Sequence, residues 1–210
     1  MPPHRSTAFR IPATLRRGLP ALLSLLAGAS LPAQALPWTL QLRNAAGQPL
    51  ADTAVAVEIA GKPSRTGSAK AQMDQRERQF APRLLIVQTG TAVNFPNFDT
   101  VRHHVYSFSP TKVFETKLYS GTPAEPIVFD KPGVAALGCN IHDRMSAHIV
   151  VVDTPVFARS DAAGIVRFDL PPGEHQLKIW HAGMKAPSLQ SQALTVTAGG
   201  SGQSSVVVGD

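Results

Sequence analysis

Helical periodicity is nearly absent after residue 35, and this limits the chain more than any other feature. Short runs rich in β-branched and aromatic residues, at 54–59, 84–87, 105–108, 148–152 and 176–180, are separated by Gly, Pro, Asn and Asp turn signals. Such a chain has only sheets with which to bury its apolar side chains, so an all-β, sandwich-type fold is expected. About 175 of the 210 residues follow residue 35, enough for one sizeable core or two small ones.

The first 35 residues read differently. Arg5, Arg10, Arg16 and Arg17 precede or flank an apolar run over 19–31 that leads into Ala33-Gln34-Ala35. A charged start, a short apolar centre and an A-x-A site mark residues 1–35 as a cleaved signal peptide. Pro20, Gly28 and Ser30 interrupt the run, leaving it short of the roughly 20 apolar residues a membrane span needs. The expectation is a periplasmic or secreted protein with no membrane span after signal cleavage. The Arg16-Arg17 pair keeps a twin-arginine route open beside general secretion. Without the leader's four arginines, the 20 basic residues fall to 16 against 14 acidic ones, a balance that gives no ground for a nucleic-acid partner.

Two distant segments read as halves of one unit. "LQLRNAAGQPLADTAVAVEI" (40–59) reads strand, glycine turn, strand. "ARSDAAGIVRFDLPPGEHQLKIWHAG" (158–183) carries turns at 161–164 and 171–173 and an alternating strand ending at Trp180. Together they resemble the transthyretin-like, carboxypeptidase-regulatory type of β-sandwich. The resemblance implies a discontinuous small sandwich over 36–64 and 155–210, with 65–154 inserted through a junction at 62–70. The plainer alternative is that both segments extend the sheets of one sandwich. The Gly/Ser-rich tail carries a further edge strand as its most structured feature.

Cys139 is the one cysteine of the chain. In a compartment where disulfides persist it has no partner within its own chain, and a metal is the simplest occupant of its sulfur. It begins the spacing C-x2-H-x2-M with His142 and Met145. Side chains on a strand alternate, so these three gather only on a tight loop, here just before the run 148–152. Thiolate, imidazole and thioether favour a soft metal, and two histidines, one cysteine and a weak axial methionine describe a blue-copper electron-transfer site. Taken singly, Cys139 reads as a small buried hydrophobe, Met145 as core filler and His142 as a solvated loop residue. A second histidine at a matching position is what turns them into a set.

That histidine lies in "VNFPNFDTVRHHVYSFS", residues 93–109. Phe95, Asn97, His103 and Val105 stand in the order F/W-x-N-x5-H-N-V, and the segment resembles the plastocyanin and azurin cupredoxins. The C-x2-H-x2-M loop is most similar to that of amicyanin. The likeness spans about 72–153, and the wider stretch also resembles exported bacterial proteins labelled as methylamine-utilisation cupredoxins. It implies a cupredoxin Greek-key β-sandwich over 65–154 beside the small flanking β-sandwich. It also implies one type I copper held by His103, Cys139, His142 and Met145, with His103 supplied by a strand. Where the family has Asn after the first histidine, this chain has His104. Consecutive strand residues face opposite ways, and register with Asn97 selects His103 as the ligand, leaving His104 behind the ligands or at the surface.

By the same resemblance the protein is an electron carrier serving redox partner proteins, not an enzyme. The His142 ring edge is the electron port, Pro96, Phe98 and Ile141 form an apolar rim, and Asp143 and Arg144 lie beside it. His148 is expected at the surface. His175 and His181 lie in the C-terminal hairpin with no supporting cluster, so no second metal is expected, and no further histidine cluster or nucleophile-elbow motif suggests catalysis. Two other functions stay open: copper binding or delivery without redox cycling, and an adhesion or binding sandwich with structural copper. In the latter, Trp38 and Trp180 are either contact aromatics or, more plainly, core residues.

Overall fold

The computed structural model describes residues 34–63, 67 and 69–209. The signal peptide expected over 1–35 lies outside the described residues but for its last two. Every regular element described is a strand, so the fold is all-β. In chain order these are β1 (Leu36–Arg43), β2 (Ala54–Ile59), β3 (Lys70–Gln72), β4 (Asp74–Arg76), β5 (Gln79–Ala81), β6 (Leu84–Gln88), β7 (Thr91–Asn94), β8 (Tyr106–Ser109) and β9 (Lys112–Glu115). There follow β10 (Ile127–Phe129), β11 (Gly133–Gly138), β12 (Ser146–Val152), β13 (Phe157–Arg159), β14 (Ile165–Leu170), β15 (Gly173–Trp180), β16 (Gln190–Val196) and β17 (Gly202–Val207). No helix among the described residues is long and apolar enough to cross a membrane.

Sheets β14-β1-β17 and β13-β2-β15-β16 face each other over one core, built by strands from both ends of the chain. Alternation drives this packing. In β1, Trp38, Leu40 and Leu42 point inward, and in β14 Val166, Phe168 and Leu170 do, while Arg167 and Asp169 point out. β17 runs parallel to β1 along the edge of its sheet, with Gly202 opposite Trp38. A Cβ on Gly202 would lie 2.1 Å from Trp38 Cζ3, so the missing side chain is what lets the indole lie across β17. Trp38 and Trp180 are both buried, as core residues and not as presented contact aromatics. His175 is buried too, its Nδ1 accepting the Ala60 amide and its Nε2–H donating to the Pro171 carbonyl.

The strands between residues 70 and 152 build a second core. Sheet β6-β12-β11-β8-β9 packs on sheet β10-β7-β3 through Val93, Phe129, Leu137, Ile149 and Val151, with the β4-β5 hairpin adding Phe80. A third apolar cluster joins the two halves: Ala54 and Ala56 of β2 and Trp180 meet Leu84, Val134, Val150 and Val152. β2 and β12 are therefore buried on both faces. This is why they read as nearly continuous apolar runs, each fully buried valine or isoleucine contributing roughly 1.5–3 kcal/mol.

His148 departs from the surface position expected of it. Ala147, Ile149 and Val151 of β12 face the second core, so His148 shares the opposite face with Val150 and Val152. There it is half-buried, its ring 4.6 Å from that of Trp180, and burial holds its pKa below the ordinary imidazole value.

Candidate metal centre

β11 and β12 pair in antiparallel register up to Gly138 opposite Ser146, so residues 139–145 close a short turn between them. The Met145 amide donates to the His142 carbonyl at 2.9 Å, and the His142 amide reaches the Cys139 carbonyl at 3.5 Å. The hydroxyl end of the Tyr106 ring, on β8, lies against Gly138, where a Cβ would come 2.5 Å from its Cζ. The turn sends Cys139 and Met145 into the apolar core and leaves His142 half-buried.

His103 comes from a different segment and not from a strand. The strand β8 begins only at Tyr106; His103 makes an isolated bridge, its amide donating to the Tyr119 carbonyl at 3.0 Å and the Tyr119 amide donating back at 2.9 Å. Asn97 is the reason. Its Nδ2 donates to the carbonyls of Val101 and Tyr119 and its Oδ1 accepts the Asp99 amide, drawing 97–101 into a turn that lifts the chain out of the sheet. His103 and His104 still point to opposite sides. His104 is buried, not at the surface, with Nε2 2.8 Å from Glu115 Oε1 and Nδ1 buried without a partner.

The fully buried His103 ring faces the turn. Nδ1 lies 3.8 Å from Cys139 Sγ, and Nε2 lies 2.8 Å from Asp99 Oδ2. A carboxylate only accepts, so Nε2 carries a proton, and Nδ1 is the ring nitrogen that faces the sulfur. The ligand atoms of His103, Cys139 and His142 all lie within 4.8 Å of one another, a group that can hold a metal ion. The two rings are 5.0 Å apart, and His142 Nδ1 is buried with no hydrogen-bond partner. A buried nitrogen without a partner is costly in a finished fold, and a metal would satisfy it. The donors present, one sulfur and two imidazole nitrogens, fit a soft transition ion.

Nearby polar groups are well supplied. Burial acts to raise the Asp99 pKa, but the Arg78 amide, the His103 ring and the Glu77 amide outweigh it and hold the carboxyl below the usual range. Burial pushes the Tyr119 hydroxyl up to about 12, with the Cys139 sulfur adding to the effect and Gln75 opposing it. That hydroxyl donates to the Phe95 carbonyl at 2.5 Å and accepts from Gln75 Nε2.

No protein-family model matches the chain, and no curated protein does. Among solved structures it is similar to a purple cupredoxin from Nitrosopumilus maritimus, with 24% identity over 39% of this chain and 98% of that one, at a TM-score of 0.35. It is similar to amicyanin from Paracoccus versutus, with 16% identity over 46% of this chain and 97% of that one, at a TM-score of 0.36. A copper-containing nitrite reductase from Thermus scotoductus shows 24% identity over 47% of this chain but only 25% of its own length, at a TM-score of 0.39.

Of the three residues expected to form an apolar rim, Phe98 and Ile141 are exposed at 51% and 45%. Pro96 is buried and takes no part in the rim, because its carbonyl accepts the Gln75 amide and holds it against the β4-β5 hairpin. Asp143 and Arg144 are exposed, and the Arg76 guanidinium sits 3.7 Å from the Phe98 ring centroid. Asp99, Tyr119 and Gln75 were not legible as site residues. Only the four-residue spacing of Asp99 and His103 offered a signal.

Proposed function

We propose that the protein is an exported type I copper protein that carries single electrons between redox partner proteins, without catalysing a reaction at the metal. The observation that carries this reading is the meeting of His103 Nδ1 with Cys139 Sγ at 3.8 Å, with His142 completing the group. The proposed ligands are His103, Cys139, His142 and Met145. Copper bound there supplies a one-electron couple.

Each residue then has a defined task. Cys139 binds as thiolate, and its burial excludes water from the sulfur. His103 approaches through Nδ1 because Asp99 occupies its far nitrogen. Met145, buried in the same apolar cluster as Cys139, would supply a weak thioether donor. His142, half-buried where Cys139 and Met145 are enclosed, is the port through which electrons enter and leave. Asp143, Arg144 and Arg76 place both charges around that port and select partners by complementarity. A rigid pair of sheets behind both ligand segments limits rearrangement when the electron passes. Residues 65–154 form the metal-carrying domain, inserted into the small sandwich of 36–64 and 155–210, and the signal peptide of 1–35 delivers the chain to the periplasm or outside.

Absorption spectroscopy on addition of Cu(II) tests the reading. An intense thiolate-to-copper band, lost in Cys139→Ser, together with reversible voltammetry, is the expected result. A colourless protein overturns it, and binding without reversible reduction would favour copper delivery instead.

A further inference from the structure

Asp99 is not one of the ligands, yet three groups converge on it. Its Oδ1 accepts the Glu77 amide at 2.7 Å, and its Oδ2 accepts the Arg78 amide at 2.9 Å and His103 Nε2–H at 2.8 Å. The two amides come from the tip of the β4-β5 hairpin, where Glu77 and Arg78 both take positive φ, 53° and 58°. That conformation is uncommon for side-chain-bearing residues, and in a two-residue hairpin turn it follows the twist of the strands. Here it also turns two successive N–H groups onto one carboxylate. The hairpin is fastened to the same turn at a further point, since the Gln75 carbonyl accepts the Phe98 amide at 2.9 Å.

We propose that Asp99, held by the hairpin tip, is the positioning residue of the metal centre: it fixes His103 as the Nε2–H tautomer with Nδ1 free to bind, and its negative charge favours the higher oxidation state of the bound metal. The first half rests on the polypeptide alone. The second half rests on the function proposed above. The physical reason is that a charge-assisted hydrogen bond to the far nitrogen makes the near one a better donor, and this helps the more highly charged ion more. In Asp99→Asn the one remaining oxygen can still accept from His103 Nε2–H and the Arg78 amide, at the cost of the Glu77 contact, so the tautomer is kept while the charge is removed.

Long-range proton–nitrogen NMR of the metal-free full chain reads the tautomer. Wild type and Asp99→Asn are expected to carry the His103 proton on Nε2, and Asp99→Leu to show a mixture. In copper-loaded protein, Asp99→Asn is expected to shift relative affinity toward Cu(I) by about tenfold, a rise in potential of about 59 mV for one electron. Asp99→Leu is expected to weaken Cu(II) binding by about 10–100-fold. A proton on Nδ1 in the metal-free wild type overturns the first half, and an Asp99→Asn potential equal to that of wild type overturns the second. Should Asp99→Leu not fold, the wild-type spectrum and Asp99→Asn decide both. Failure of wild type to bind copper overturns the electron-carrier reading and the effect on potential, while the metal-free spectrum still decides the tautomer.

Discussion

Cys139 Sγ and His103 Nδ1 stand 3.8 Å apart across 36 residues of chain. Metal–nitrogen and metal–sulfur bonds run about 2.0–2.3 Å, so one ion can touch both atoms. The pair is brought together by two local devices, the 139–145 turn between β11 and β12 and the Asn97-closed turn before His103.

Replacing Cys139 by Ser therefore has two separable effects. The charge-transfer band of copper-loaded protein is expected to vanish. In the metal-free protein the buried hydroxyl is expected to cost about 1–3 kcal/mol in urea unfolding, because Cys139 packs in an apolar cluster and only the His103 and His142 rings offer polar atoms nearby. Retention of the band would remove Cys139 from the ligand set.

His148 makes stability pH-dependent. Burial depresses its folded pKa, so as pH falls through about 6.5 the unfolded chain takes up the proton first. Stability from the neutral ring is complete above that pH and is lost as pH falls toward the folded pKa. Arg83, Arg159, His181 and Asp52 line the same cleft. His148→Phe keeps a ring against Trp180 without a titrating group. Urea midpoints of metal-free protein between pH 7.5 and 5 are expected to fall more for wild type, the difference no steeper than about 1.4 kcal/mol per pH unit. Parallel profiles would show that His148 carries no linkage.

Gly202→Ala tests the flanking core. With a Cβ 2.1 Å from Trp38 Cζ3, either the indole or β17 must shift, at a cost of roughly 1–3 kcal/mol. Chemical denaturation should register that loss while copper uptake is unchanged, since Trp38 lies in the other core from Cys139. Loss of uptake would mean that the two cores act as one.

The proposed insertion of 65–154 is open to limited proteolysis of the full chain. Early trypsin cleavage is expected within 62–70, leaving a resistant fragment that contains all four proposed ligands. The fragment should co-elute with the remainder on size exclusion, because Ala54, Ala56 and Trp180 pack on Val150 and Val152. Early cleavage between β6 and β12 would argue against a separate inserted domain.

The strand, turn, strand reading of 40–59 and the turn at Asp161 were legible because each is local. A strand with one buried face repeats every two residues, and the Asp161 side chain accepts the amides of Ala163 and Ile165 just downstream. C-x2-H-x2-M was legible for the same reason, being confined to one turn. His103 joined that set only through its resemblance to a known pattern, since nothing between residues 103 and 139 states that they meet.

Other features had no local signature. The run over 148–152 announced burial, but not that Trp180 would cover His148; Pro96 gave no sign that it would be enclosed, and the sequence left His104 either behind the ligands or at the surface. The Asp99 carboxylate faces His103 because a hairpin more than 20 residues upstream aims two amides at it. By itself, then, the sequence determined the class of fold and the spacing of three donor side chains, because periodicity and turn chemistry act between near neighbours. Which faces meet, which nitrogen of His103 is free and what encloses each histidine were decided by tertiary structure alone, because they depend on partners that only packing brings together.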